Sequence, residues 1–386
     1  MRRIAIAYHF NDAEWMGGRN YFASLFSAIQ AVSPENIEIL LVMGRGTVST
    51  LPAEFPWVKV LRTPLMDRLH PVWFVRQVTI RFFTNDCLLS WFLSRNRIDL
   101  LSHSTYLGSG SSIKTLPWLY DFQFMHLPEY WTPKQIRWSE IRYKNACKFG
   151  DGIIVSSNDA CLDLKSFAPW CEKPKYVLQF VSNPVDFERL PDESDLRARY
   201  SLPNAYFHLS NQFWSNKNHR LVIDALALLK KEGVDTVVAC TGKPFDTRMP
   251  RYFDELMAYC EEKGVKESFR VLGIVPHADL QGLMAYSTAV INPSRFEGWN
   301  TSVEEAKTMH KRLLLSDIPV HREQAPGNAR FFNFNDYKAL ANCMTQVLEE
   351  DHIDFSQEDV SEDYQRRLQA YGRRYLDIVT NLFQSS

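Results

Sequence analysis

The first apolar stretch, residues 3–8, is short and almost unbroken, the pattern of a strand buried on both faces. After it come a polar loop containing Gly17 and Gly18 and then a segment, 19–31, in which Phe22, Leu25, Phe26 and Ile29 recur at helical spacing. Further strands are predicted at 37–42, 58–61, 100–102, 116–120, 152–155 and 176–180. Strands that alternate with helical segments imply a parallel, doubly wound sheet, which binds ligands at the carboxyl ends of its strands. A charged, proline-containing passage at 183–203 interrupts the alternation, and the hinge between two halves is placed near 182–185. The pattern then restarts with a strand at 206–210, a helix at 218–231 and strands at 236–241, 269–272 and 289–292, so a second Rossmann-like domain is expected. Beyond Asn335 the chain reads as helical to its end.

Composition narrows the functional classes. The 386 residues, 45% hydrophobic, suffice for two globular domains with real cores. A formal net charge of −1 removes the case for nucleic-acid binding through a basic surface. Seven scattered cysteines without a C-x-x-C pair form no complete disulfide framework and fit a reducing cytoplasm. The N-terminal apolar run meets His9, Asn11 and Asp12 too soon for a signal peptide, and no run is long enough to span a membrane.

The most informative segment is NPSRFEGWNTSVEEA, residues 292–306. It follows an apolar run ending in Thr288-Ala-Val-Ile and precedes Val303, Ala306, Met309 and His310 at helical spacing, so it reads as a strand-to-helix turn. Asn300, Thr301 and Ser302 are helix-capping residue types, and a helix N-terminus attracts anions such as phosphate. Glu297 stands before the turn, within reach of a sugar; Glu305 lies about one turn inside the helix, placed to accept hydrogen bonds from ribose. Taken alone, the two acids also fit a solvated helix start, which suits the dipole.

Together with LLLSDIPVHRE (313–323), this segment resembles the family 4 glycosyltransferases of the two-domain GT-B fold, which read E-G-F-G-x-P-x-x-E-A and then S-D-I-P-x-x-x-E. Glu297, Gly298, Glu305, Ala306, Ser316, Asp317, Ile318, Pro319 and Glu323 match; Trp299, Asn300 and Ser302 replace the usual Phe, Gly and Pro. The resemblance implies an acceptor-binding domain at 1–183, a nucleotide-sugar-binding domain at 184–363 and a terminal helix, 364–386, that packs back on the first domain. It implies a cytoplasmic, metal-independent transferase that moves a hexose from a nucleotide diphosphate sugar to a glycan or lipid-linked glycan with retention of configuration. A role in surface polysaccharide, O-antigen or lipopolysaccharide assembly follows from the family alone. No cofactor is implied beyond the donor, and no D-x-D or other metal-ligand spacing stands in the sequence.

The remaining site expectations come residue by residue. Lys217, in a loop between a strand and an amphipathic helix, reads either as a surface lysine or as a phosphate cation, and resembles the family's K-N/G-H element. The arginine that relatives carry six residues earlier is Asn211 here, with Lys243 or Arg295 as compensating cations. Gly273, Ile274 and Val275 match the segment that flanks the nucleobase, and Gly17 and Gly18 match a glycine pair that admits donor phosphate or acceptor. In WLYDFQFMHLPEYW (118–131), Asp121 and His126 are catalytic candidates; the histidine expected before the aspartate is Tyr120, and His126 either replaces it or is simply packed.

Between 59 and 83 stand five basic residues (Lys59, Arg62, Arg68, Arg76, Arg81) and one acid (Asp67), interleaved with Trp73, Phe74, Phe82 and Phe83. This suits either contact with the inner face of an anionic membrane or a helix with an ordinary core face and a charged outside. The rival functions are a dinucleotide-dependent oxidoreductase, which lacks G-x-G-x-x-G after the first strand, and a non-catalytic glycan-binding protein of the same fold. An epimerase or a phosphorylase is more distant.

Overall fold

The computed structural model describes residues 1–12, 15–104, 106–325, 327–350 and 357–384, the side chains of the last helix from 360 onward. The chain forms two compact units. One holds Met1–Phe122, Pro133–Val181 and Arg366–Ser386; the other holds Gln123–Thr132 and Ser182–Gln365.

The first unit has a five-stranded sheet ordered β3-β2-β1-β4-β5, made of β1 (Arg2–Tyr8), β2 (Ile37–Met43), β3 (Lys59–Arg62), β4 (Leu100–Ser102) and β5 (Lys114–Leu116). A further sheet, β6-β7-β8, comprises Trp118–Leu119, Ile153–Val155 and Lys175–Val177, and every strand pair in the unit is parallel. The single strand expected at 116–120 is split at Pro117, which has no N–H to give a ladder. Ile4, Ile6, Leu25, Phe26 and Leu41 are buried to about 1% exposure or less, as both-face burial of a parallel sheet requires.

The glycine pair is not in a loop. The first helix already begins at Met16 and runs to Val32, so Gly17 and Gly18 lie in its opening turn. A Cβ on Gly18 would sit 2.2 Å from the Trp15 ring. Trp15 fills the space that a bare Cα leaves, and Gly18 is therefore explained by indole packing rather than by an approaching ligand.

The last helix, Gln357–Gln384, docks its C-terminal part on the first unit. Gly372 passes so close to the carbonyl of Ala28 that a side chain there would collide, at 2.1 Å. Lys114 Nζ donates to the Leu382 carbonyl at 2.7 Å, and the buried Tyr375 ring lies 5.8 Å from His103.

The second unit has one six-stranded parallel sheet, β9 (Phe207–Ser210), β10 (Val238–Thr241), β11 (Phe269–Gly273), β12 (Ala289–Asn292), β13 (Leu313–Ser316) and β14 (Ala329–Phe332). Its order, β11-β10-β9-β12-β13-β14, reverses direction between β9 and β12. In doubly wound sheets that switch point, at the carboxyl ends, is where ligands bind. Phe207, Leu209, Val222, Leu226, Cys240, Ile291 and Leu314 share one core that ties the helix His219–Lys231 to the sheet.

Both units thus have the expected α/β architecture built on parallel sheets. All seven cysteines are free thiols. No helix among the described residues is long and apolar enough to cross a membrane.

Candidate active site

Four loops leave the carboxyl ends of β9, β10, β12 and β13, and they carry most of the residues singled out above. After β9, Ser215–Lys217 form a short 3-10 turn, and Asn218 takes a left-handed conformation (φ 58°) before the next helix starts. Asn218 holds this turn by donating to the carbonyls of Pro293 (3.1 Å) and Phe334 (2.8 Å). The turn aims Lys217 Nζ at Glu297 Oε1, 2.5 Å away, and the two side chains keep only 12% and 10% of their exposure. The two leading candidates of the sequence therefore meet as a nearly buried ion pair.

Asn300 caps the helix Thr301–Lys307, its Oδ1 accepting from Val303 N at 3.2 Å and from Ser302 Oγ at 2.8 Å. Gln324 clasps the same residue from the far side. Its Oε1 accepts the Asn300 N–H at 3.0 Å while Nε2 donates to the Asn300 carbonyl at 2.8 Å and to Glu304 at 2.9 Å. The Asn300 N–H is thus spoken for, and the first helical amides, those of Thr301 and Ser302, are the ones placed for an anion. His321, fully buried, bonds through Nδ1 to the Ser316 carbonyl at 2.9 Å. A carbonyl only accepts, so Nδ1 carries the proton and Nε2 receives the Asn300 amide at 3.5 Å. Burial lowers the His321 pKa to about 4, and the ring is neutral at physiological pH.

This network, reached from β13 through Ser316, His321 and Gln324, is what sequence reading missed. Its traces are Ser316, at the end of an otherwise apolar strand, and the polar run His321 to Gln324. Gln324→Ala leaves the Asn300 N–H unpaired in a buried place, while the Asn300 carbonyl keeps the Glu304 N–H at 3.1 Å, an expected loss of about 1–3 kcal/mol. Thermal unfolding and donor titration should show a lower midpoint together with weaker donor binding.

Glu305 lies in the same short helix, and burial of its carboxyl alone pushes its pKa up to about 7. Trp299 lies beneath Lys307, whose Nζ is 5.9 Å from the ring centroid. Arg295 reaches Asn218 Oδ1 at 3.4 Å, and its backbone N–H donates to Asn216. Lys243 is exposed and lies over the Phe245 ring at 5.7 Å. Asn211 is buried, and its Nδ2 has no hydrogen-bond partner among the described residues. Gly242 (φ 140°) presses on the Asn211 carbonyl so closely that a Cβ would stand 2.2 Å away, so only glycine fits there. Gly273 (φ 71°) ends β11 and accepts the Gly242 N–H, leaving Ile274 largely exposed and Val275 packed near Leu283.

A cation outside every sequence expectation stands in the loop after β10. Arg248 pairs with the buried Asp246 at 3.4 Å and bonds to Asn216 Oδ1 at 3.2 Å, next to Lys217, and to Gln123, and its guanidinium lies over the rings of Trp131 (5.4 Å) and Trp214 (5.5 Å). It anchors the segment Gln123–Thr132, which belongs to this unit although its neighbours in sequence belong to the other. The same segment stacks His126 on Phe296, the residue before Glu297, at 4.8 Å and 24°. His126 is therefore brought to the site. Asp121 falls in the first unit, where its carbonyl accepts from Tyr143 and Tyr120 lies beneath Arg142.

Comparison with known proteins agrees with this geometry. Residues 201–374 match the sequence profile of the family described as glycosyl transferases group 1. Sucrose-phosphate synthase from Thermosynechococcus elongatus superposes with a TM-score of 0.71 at 13% identity, covering 100% of both chains. The profile match lies in the second half of the chain, and the superposition shows a shared fold. Anabaena HepE, solved with UDP and glucose, gives 0.63 at 15% identity over 100% of this chain and 98% of that one. WaaG, a glycosyltransferase involved in lipopolysaccharide biosynthesis, gives 0.58 at 13% over 96% and 95%. At such identities these likenesses establish the GT-B fold alone. No curated protein matches the chain.

Proposed function

We propose that the chain is a group 1 glycosyltransferase that moves a hexose from a nucleoside diphosphate sugar to a hydroxyl of a glycan or lipid-linked glycan, retaining the anomeric configuration and needing no divalent metal. The observation that carries the reading is the nearly buried Lys217–Glu297 pair at the switch point of the second sheet. On this reading Lys217 and the amides of Thr301 and Ser302 hold the diphosphate, Glu297 the sugar hydroxyls and Glu305 the ribose. Arg248 supplies positive charge near Lys217 where relatives have an arginine in place of Asn211. His126 adds a contact at the sugar, and Asp121 serves on the acceptor side. The bond from the anomeric carbon to the diphosphate breaks while the acceptor oxygen attacks from the same face. The acceptor proton passes to the departing diphosphate oxygen, so no protein nucleophile is consumed.

Cytoplasmic work on a surface polysaccharide fits the free cysteines, and the structural likeness to WaaG is in keeping with it. Proton NMR of product formed from an α-linked donor, run in EDTA, tests the proposal. An α-linked product with release of nucleoside diphosphate is expected; a β-linked product, or activity only after metal addition, refutes it.

A further inference from the structure

The helix Pro71–Phe83 is built inside out. Its inward side carries Trp73, Arg76, Gln77 and Ile80, none fully buried, and Arg76 is held there by Asp86 at 2.7 Å and by the Leu65 carbonyl at 2.9 Å. Phe74, Val75, Val78, Phe82 and Phe83 are each more than half exposed, and Phe74, Val78 and Phe82 repeat at helical spacing on one outward stripe. A helix normally turns such a stripe to the core; here Arg76 is turned in, and most of the apolar side chains face out, with Trp73 and Ile80 on the inner side. No residue of this helix is fully buried, so it has no ordinary core face.

The neighbouring helix Pro133–Phe149 extends the same surface. Arg81 lies over the exposed Trp138 ring at 5.5 Å, which joins the two helices, and Ile141 is exposed one turn on. Lys134, Arg137, Arg142, Lys144 and Lys148 are exposed on this second helix, against Glu140 as its single acid. Arg68 precedes the first helix and is exposed as well. In a chain of net charge −1 this is a strongly one-signed face.

We propose that the outward faces of Pro71–Phe83 and Pro133–Phe149 dock on an anionic lipid bilayer, with Phe74, Val78, Phe82 and Phe83 entering the headgroup boundary and the arginines and lysines pairing with lipid phosphates. Apolar side chains rimmed by cations are the combination that an anionic interface rewards, since insertion and electrostatic attraction add. A soluble partner of the same area would need acids to meet the cations as well as an apolar groove, whereas the bilayer supplies both over any footprint. The inference stands apart from the transfer reaction, because it uses none of the site residues.

Flotation of the full chain with vesicles tests it, using phosphatidylcholine alone and phosphatidylcholine mixed with phosphatidylglycerol. Binding should be roughly tenfold or more tighter to the anionic vesicles and should weaken as salt is raised. Phe82→Ser combined with Phe83→Ser should lower that binding by roughly tenfold; Arg68→Glu with Arg137→Glu should abolish the preference for anionic lipid. Both double variants change exposed positions, and their unfolding midpoints should match the parent. Equal binding to both vesicle types, or anionic binding unchanged by either double variant, would overturn the proposal. So would light scattering that shows a dimer which the Phe82→Ser, Phe83→Ser variant dissociates, since a second copy would then cover the face.

Discussion

Lys217→Ala should lower turnover by about 10²–10³, the usual effect of deleting one positioned group that stabilises developing charge. In the proposed reaction the charge develops on the departing diphosphate, and Lys217 is the cation that the turn after β9 fixes in place. Because the pair with Glu297 is nearly buried, removing one partner also strands the other, at roughly 3–5 kcal/mol for a fully buried pair. The two effects separate if kinetics are measured well below the unfolding midpoint and Glu297→Gln is run beside it. Glutamine keeps a hydrogen bond to Lys217 without the charge, so the fold should survive while sugar hydroxyls lose their carboxylate. A drop in kcat/KM for both variants at temperatures where they remain folded is the expected result. Full activity in folded Lys217→Ala would remove the residue from the mechanism.

Glu305 should make donor binding depend on pH. Its pKa is raised by burial from 4.5 to about 7, so the folded protein holds a proton that the unfolded chain would release. Stability therefore declines as pH rises from about 4.5 to about 7, and the loss, up to about 3 kcal/mol, persists above that range. Ribose hydroxyls donate to the ionised carboxylate, so binding favours that form and expels the proton. The dissociation constant of a nucleotide sugar, whose diphosphate diester does not titrate in this range, should fall about tenfold from pH 6 to pH 8. Glu305→Gln should flatten this profile, weaken binding at pH 8 and raise the unfolding midpoint there. Calorimetric titration across pH reads the first two effects. A pH-independent affinity in the parent protein would show that the carboxyl does not meet the donor.

Much of this was legible because parallel sheets announce themselves through unbroken apolar runs. The strands at 100–102 and 289–292 stand where the pattern puts them, and most others differ by a residue or two at an end. The Asn300 cap was legible because a strand-to-helix turn demands particular residue types at particular steps, and the Lys217–Glu297 pair joins two residues that the sequence singled out. The clasp of Gln324 and His321 on Asn300 was not, because it joins loops more than twenty residues apart and leaves no period in the sequence. Arg248 escaped for the same reason; its loop, PFDTRMP, has neither helical nor strand spacing. The glycine pair misled because glycine marks both an open turn and a crowded helix start, and only the position of Trp15 decides between them. The basic and aromatic residues of 59–83 pointed to a surface helix without showing which side faces in. That depended on Asp86, ten residues beyond Arg76, drawing the arginine inward.

The central claim is that the turn joining Lys217, Glu297 and Glu305 binds a nucleoside diphosphate sugar. Thermal unfolding with UDP, GDP, ADP and dTDP sugars, each at about one hundred times its dissociation constant, tests it most directly, since one bound ligand then adds roughly 2.7 kcal/mol. The account predicts a raised midpoint with one nucleotide class, lost in both Lys217→Ala and Glu305→Gln. A shift with NAD or a free glycan and none with any nucleotide sugar would contradict it.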